Sequence, residues 1–210
     1  MRQTTTMRGR IAEATLECMR EHGVRGTTTR AVARRAGVAE GSIYNHFTNR
    51  SELIVSAFEL ATREIRAHAH ALDQLVGAHT VTQNLTTLME AVIEFFEEIF
   101  PIVGAILGDT QLRSWFTEGS VSGPEGQDIT PMTGAAELSK YLEAEHQEGR
   151  IPAQESWQVC AGMLIGTCLH YVYLKMLSPH GMAGLTGGTD LSTRAYVRTA
   201  IQALLIPNEQ

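Results

Sequence analysis

Glycines set the lengths of the first helices in this chain, and so limit what its first fifty residues can build. Between Gly9 and His22 the apolar positions Ile11, Ala14, Cys18 and Met19 recur at helical spacing. Gly23 ends that run by supplying a left-handed backbone. A threonine cluster, Thr27 to Thr29, then precedes a short run with Val32, Ala33 and Ala36 on one side and Arg30, Arg34 and Arg35 on the other. Threonine hydroxyls favour a helix start because they accept its unpaired amide hydrogens. Gly37 stops this second helix after about two turns. A third helix, about Glu40 to Phe47, has Ile43 and Phe47 on one face and little bulk at its start, where Gly41 and Ser42 lie.

Short helix, glycine turn and short helix with a slim leading end make a helix-turn-helix. A helix that enters a major groove about 12 Å wide must be slender in front and anchored behind. Phosphates flank the groove, which favours hydroxyl, imidazole and guanidinium donors at its rim. Asn49 and Glu52 have the spacing of a capping box and predict a fourth helix. Charge agrees with this division. Residues 1–50 hold nine arginines and four glutamates, a net of +5, while the remainder holds 8 basic and 19 acidic groups, a net of -11. A basic head on an acidic body suits a polyanion-binding end joined to something else.

The rest reads as helices without strand-like alternation, so the expected class is all-α. The pattern predicts helices over about 51–76, 82–100, 103–117, 132–147, 154–177 and 191–205, with a break at Pro101. The stretches 119–131 and 181–190 are turn-rich. Residues 156–174 carry no formal charge, yet they include Gln158, His170 and two tyrosines, which suits a helix in a bundle or subunit interface better than a membrane span. The cysteines 18, 160 and 168 form no C-x-x-C pair and suit a reducing interior. The N-terminus lacks an apolar signal core, so a cytoplasmic protein is expected. No spacing suggests a catalytic set, a metal site or a cofactor cradle. His68 and His70 lie on different helix faces.

The segment GVRGTTTRAVARRAGVAEGSIYNHFTNRSEL resembles the DNA-binding segment of the tetracycline-repressor (TetR) family of bacterial regulators. The shared features are the Gly23–Thr29 turn, Ala33, Ala36-Gly37-Val38, Gly41, Ile43-Tyr44, His46-Phe47, a basic residue at 50 and Leu53. The resemblance implies a DNA-binding domain over 1–53 and a helical effector-binding and dimerisation domain over 54–210. It implies phosphate bonds from Thr28, Thr29 and Arg30, groove or base contacts from Glu40, Gly41, Ser42 and Asn45, and backbone grip by Tyr44, His46 and Arg50. Ala39 departs from the serine that the family often has there, so the recognition helix is expected to lack a side-chain cap.

The same resemblance implies that the last two long helices pair with those of a second subunit. Gly162, Gly166, Leu169, Val197, Ile201 and Leu204 are candidates for that interface. It also implies an effector cavity, for which Met89, Ile93, Phe96, Phe100, Trp115, Phe116, Met163, Thr167 and Tyr171 are candidates. The expected protein is a homodimeric regulator of transcription, a repressor released from palindromic operator DNA by a small, largely apolar effector. An activator, an effector-independent DNA binder, or a helical small-molecule carrier or enzyme are the alternatives.

Overall fold

A computed structural model describes residues 6–108, 110, 113, 131–177 and 192–205, and every regular element among them is helical. The elements are α1 (Met7–Gly26), α2 (Thr29–Ala36), α3 (Glu40–Ile43), α4 (Arg50–Ala61), α5 (Arg63–Ala71), a 3-10 turn (Leu72–Leu75), α6 (Val81–Leu107), α7 (Pro131–Gln147), α8 (Trp157–Leu177) and α9 (Thr193–Leu205). They fall into two compact units. One comprises residues 1–63 with 98–129, and the other 64–97 with 130–210.

In the first unit the glycines act as their positions predict. Gly23 has φ 67° inside α1 and kinks it, and Gly37 has φ 68° and ψ 38° at the end of α2. Thr28 caps α2 by accepting the Ala31 N–H at 3.2 Å. Ile11, Ala14, Cys18, Val32, Ala33, Ala36, Ile43, Phe47 and Leu53 close over one another as a single apolar cluster. Four helices therefore share one small core, and none of the short ones could bury its apolar side alone.

Three helix limits differ from the sequence reading. The expected helix over 51–76 breaks at Thr62, whose hydroxyl donates to the Glu59 carbonyl at 3.0 Å. A hydroxyl bonded to its own preceding turn competes with the helical ladder. The predicted third helix, 40–47, is α-helical only to Ile43 and finishes as a turn. The break expected at Pro101 is absent, and α6 runs through it. Proline removes one N–H from the ladder, a loss that a 27-residue helix absorbs while its neighbouring rungs hold.

In the second unit α8 packs on α7 and α9. Val197, Ile201 and Leu205, spaced four apart on α9, are all buried. Tyr171 stacks near Tyr196, with ring centroids 4.9 Å apart, and its hydroxyl bonds the Thr193 hydroxyl at 2.9 Å. The buried Asn84 amide donates to the Ala78 carbonyl at 2.8 Å and the Tyr141 hydroxyl at 3.0 Å, fixing the turn before α6. Beside it the fully buried Glu145 carboxylate lies 2.9 Å from Arg150 Nη1. α8 is long and apolar enough to span a membrane by length and composition, with a mean hydropathy of 1.3 over an 18-residue window, the property that its uncharged sequence shares with a bundle helix.

Two outcomes follow from these local geometries. Gly37→Ala should lower stability by about 1 kcal/mol in thermal or urea melts, because a side chain at φ 68° is strained although its nearest neighbour, Arg10 Nη2 at 3.9 Å, would be an ordinary contact. Burial pushes the Cys168 thiol up to about 12, beside Met89 Sδ at 3.5 Å, and also raises Cys18. A thiol reagent at neutral pH should label the half-buried Cys160 first, with Cys18 and Cys168 reacting only on unfolding, as read by mass spectrometry.

Candidate nucleic-acid interface

The residues from Thr28 to Arg50 meet on the first unit, and their geometry begins with what lies behind them. Ile43 and Phe47 are 1% and 2% exposed. Tyr44, the residue between those anchors in the turn, is 57% exposed. The recognition segment is therefore fixed from below and presents its other side outward. Packing does not account for Tyr44.

At the leading end of α3, Ala39 makes no side-chain cap, as its lack of a hydroxyl predicts. Glu40 follows, and its Oε1 accepts the Thr29 hydroxyl at 2.7 Å. That bond joins the first residue of α2 to the first residue of α3. It occupies one oxygen of a carboxylate that the sequence left free to read a base or favour its own helix end. Gly41 is exposed, and a Cβ there would meet nothing within 4 Å. Ser42 is half-buried, and Asn45 is exposed one residue beyond Tyr44.

Donors for phosphate are unevenly free. Arg25, Arg30 and Arg34 are exposed and form no ion pair among the described residues. Arg35 is engaged: Nη1 reaches Glu21 Oε1 at 2.8 Å and Glu17 Oε2 at 3.2 Å. Its guanidinium bond holds the Glu21 carboxyl below the usual carboxylate range. Arg20 Nε donates to Glu98 Oε1 at 3.2 Å. Thr28 spends its oxygen lone pair on the cap, which leaves the hydroxyl proton free to donate.

Arg50 differs most from its sequence expectation. Its Nε donates to the Thr27 carbonyl at 3.0 Å and its Nη2 to the Val24 carbonyl. The guanidinium turns inward onto carbonyls at the C-terminal end of α1, where the helical ladder stops and an arginine fork bonds two at once. What remains for an outside acceptor is chiefly Nη1.

Two arginines that sequence reasoning passed over shape the same surface. Arg10 Nη2 donates to the Ala36 carbonyl at 2.9 Å, next to Gly37. Arg8 lies over the Phe47 ring at 4.3 Å, donates to the His46 carbonyl, and bonds Glu52 Oε1 at 3.0 Å. Their partners stand 26 and 38 residues away in the chain, and no spacing rule reveals such contacts. Burial raises the Glu52 carboxyl, but the Thr48 N–H, the Arg8 guanidinium and the Thr48 hydroxyl together outweigh it and hold that group low.

The candidates in the second unit separate. Gly162 and Gly166 are exposed on α8 with open space at both, and Leu169 is 40% exposed. Val197 and Ile201, expected at a subunit interface, are instead 2% and 1% exposed in the core of their own chain, because their four-residue spacing faces α8. Leu204 is half-buried. Among the effector candidates Met89, Ile93 and Tyr171 are buried, while Phe96 and Thr167 are half-buried. Met163 is 49% exposed, on the outer side of α8 beside Gly162. Phe100, half-buried, falls in the first unit. Trp115 and Phe116 lie outside the described residues. A cavity of about 340 Å³ opens among Thr80–Thr82, Arg150, Ile151, Ile201 and Leu205. Of the effector and interface candidates only Ile201 lines it, a residue expected to serve dimerisation rather than a ligand.

Comparison with known proteins completes the picture. Residues 11–57 match the family model for bacterial regulatory proteins of the tetR family. The HTH-type transcriptional repressor KstR2 of Mycobacterium tuberculosis is 36% identical over 52 residues, which cover 25% of this chain and 26% of KstR2. The match thus spans about a quarter of that relative's length. The HTH-type transcriptional regulator BetI of Escherichia coli is 26% identical over 170 residues, covering 77% of this chain and 80% of BetI. The solved structure of the transcriptional regulator FadR from Bacillus subtilis, in complex with stearoyl-CoA, superposes with a TM-score of 0.60 at 17% identity, over 94% of this chain and 97% of that one. The helix-turn-helix built on Ile43 and Phe47 is the part that the family model covers, and with these relatives it supports a transcriptional regulator of the tetR family.

Proposed function

We propose that this regulator is a homodimeric repressor that leaves a palindromic operator when a small, largely apolar effector binds its body. The observation that carries the DNA-binding part is the exposed Tyr44 set between two buried anchors behind an open Gly41. A surface that slender and that firmly backed suits a major groove. Tyr44 and His46 grip the backbone there, with Thr28, Thr29 and Arg30 on phosphates at the start of α2. Gly41, Ser42 and Asn45 meet the groove, and Glu40, steadied by Thr29, offers its second oxygen to a base amine. Arg50 contributes Nη1 at most, given its two inward bonds.

The dimer reading rests on α8. Val159, Met163, Leu169, Tyr173, Met176 and Leu177 are all at least 40% exposed, and with Gly162 and Gly166 they form an outward apolar stripe along one helix. Such a contiguous patch marks an association surface, and the open glycines allow close helix approach. Two heads would then address half-sites about 34–36 Å apart. Residues 1–53 serve as the DNA-binding domain and 54–210 as the effector and dimerisation domain of a cytoplasmic protein.

For release, the effector must bind the non-DNA-binding conformation better, since only differential affinity shifts the population. Met89, Ile93, Phe96 and Tyr171 offer an apolar lining once the buried side chains part. The stearoyl-CoA held by the FadR structure supports an effector with a large apolar portion.

Operator DNA is obtained by selecting bound duplexes from a random pool. On that duplex Tyr44→Ala should weaken binding about tenfold and reduce the slope of log affinity against log salt by about one, in fluorescence anisotropy titrations. Wild-type affinity and slope would reject the docking. Val159→Glu with Met163→Glu should convert the dimer to a monomer in sedimentation velocity runs while far-UV circular dichroism keeps its helical signal. A double mutant that stays dimeric would place the interface elsewhere.

A further inference from the structure

We infer that Arg8 is a positioning residue for operator recognition, setting the orientation of the recognition segment through its carboxyl end rather than by touching DNA. The inference rests on the docking of residues 40–46 described above. α3 has four residues and no cap at Ala39, so its own hydrogen bonds cannot hold its direction. Ile43 and Phe47 fix its depth and the Thr29–Glu40 bond ties its leading end to α2, which leaves its carboxyl end to be held.

One guanidinium supplies the missing restraint. It bonds the His46 carbonyl just before Phe47, covers the Phe47 ring at 4.3 Å, and pairs with Glu52 at 3.0 Å. Glu52 in turn accepts the Thr48 N–H at 2.6 Å, just after Phe47, while Asn49 caps the Glu52 N–H at 2.9 Å. The backbone is thus gripped on both sides of the buried phenyl ring by a single charge pair. Tyr44 and His46 ride on that backbone. A lysine keeps the charge but has neither the planar fork nor the reach to serve carbonyl, ring and carboxylate together.

The test uses the full chain and the selected operator, with a scrambled duplex of equal length. Arg8→Lys, Arg8→Ala and Glu52→Gln are each assayed by anisotropy over a salt series, and each is checked by thermal melting. All three should lose about tenfold in operator affinity while affinity for the scrambled duplex and the salt slope stay near wild type. The Arg8→Ala, Glu52→Gln double mutant should lose no more than either single one, since both break the same grip. A phosphate contact would look different: Arg8→Lys would bind as wild type, and Arg8→Ala would lose about one unit of slope on both duplexes. Either result overturns the inference. If Arg8→Ala does not fold, Arg8→Lys and Glu52→Gln decide the matter by the same criteria. Should Tyr44→Ala weaken binding while the Arg8 variants do not, the docking stands and the positioning role fails. If Tyr44→Ala itself has no effect, the docking has failed first.

Discussion

Burial of Ile43 and Phe47 against α1, α2 and α4 is the contact on which the working surface depends. A four-residue helix has no stability of its own, because nucleation costs more than one turn returns. It exists here because two large apolar side chains are worth roughly 1.5–3 kcal/mol each when removed from water. Those chains also force their neighbours outward. Exposure of Tyr44 and openness at Gly41 are consequences of where the anchors point. Recognition chemistry and core packing are therefore two sides of one short segment.

Local chemistry made much of this readable in advance. Gly23 and Gly37 take positive φ, the first at a kink inside α1 and the second at the end of α2, and Asn49 caps Glu52 because an amide oxygen sits where a free N–H appears. Ala39 lacks a cap for an equally local reason. Less was visible wherever an interaction spans the chain. Arg50 looked like a phosphate ligand from its place beside the recognition segment, but the carbonyls it bonds belong to the end of α1, far upstream. Arg8 was merely a charge in a basic head until folding carried it onto Phe47.

Periodicity had a similar blind spot in the body. It identified α8 and α9 as apolar helices, yet an apolar face serves a core or an interface equally well. Burial separates the two uses: Val197 and Ile201 close the chain's own interior, while Met163 and Leu169 look outward. α8 buries one side within this chain and exposes an apolar stripe on the other. Aromatic and methionine positions on α6 raised the same ambiguity between filling a core and lining a cavity. Met89 and Ile93 are close-packed, so any guest would first have to displace protein contacts.

Pro101 leaves the Glu97 carbonyl without its rung in the α6 ladder, although the helix passes straight through. The two compact units part company in the sequence at that same place, between Glu97 and Glu98. A helix that lacks one rung bends more readily there than where its ladder is complete.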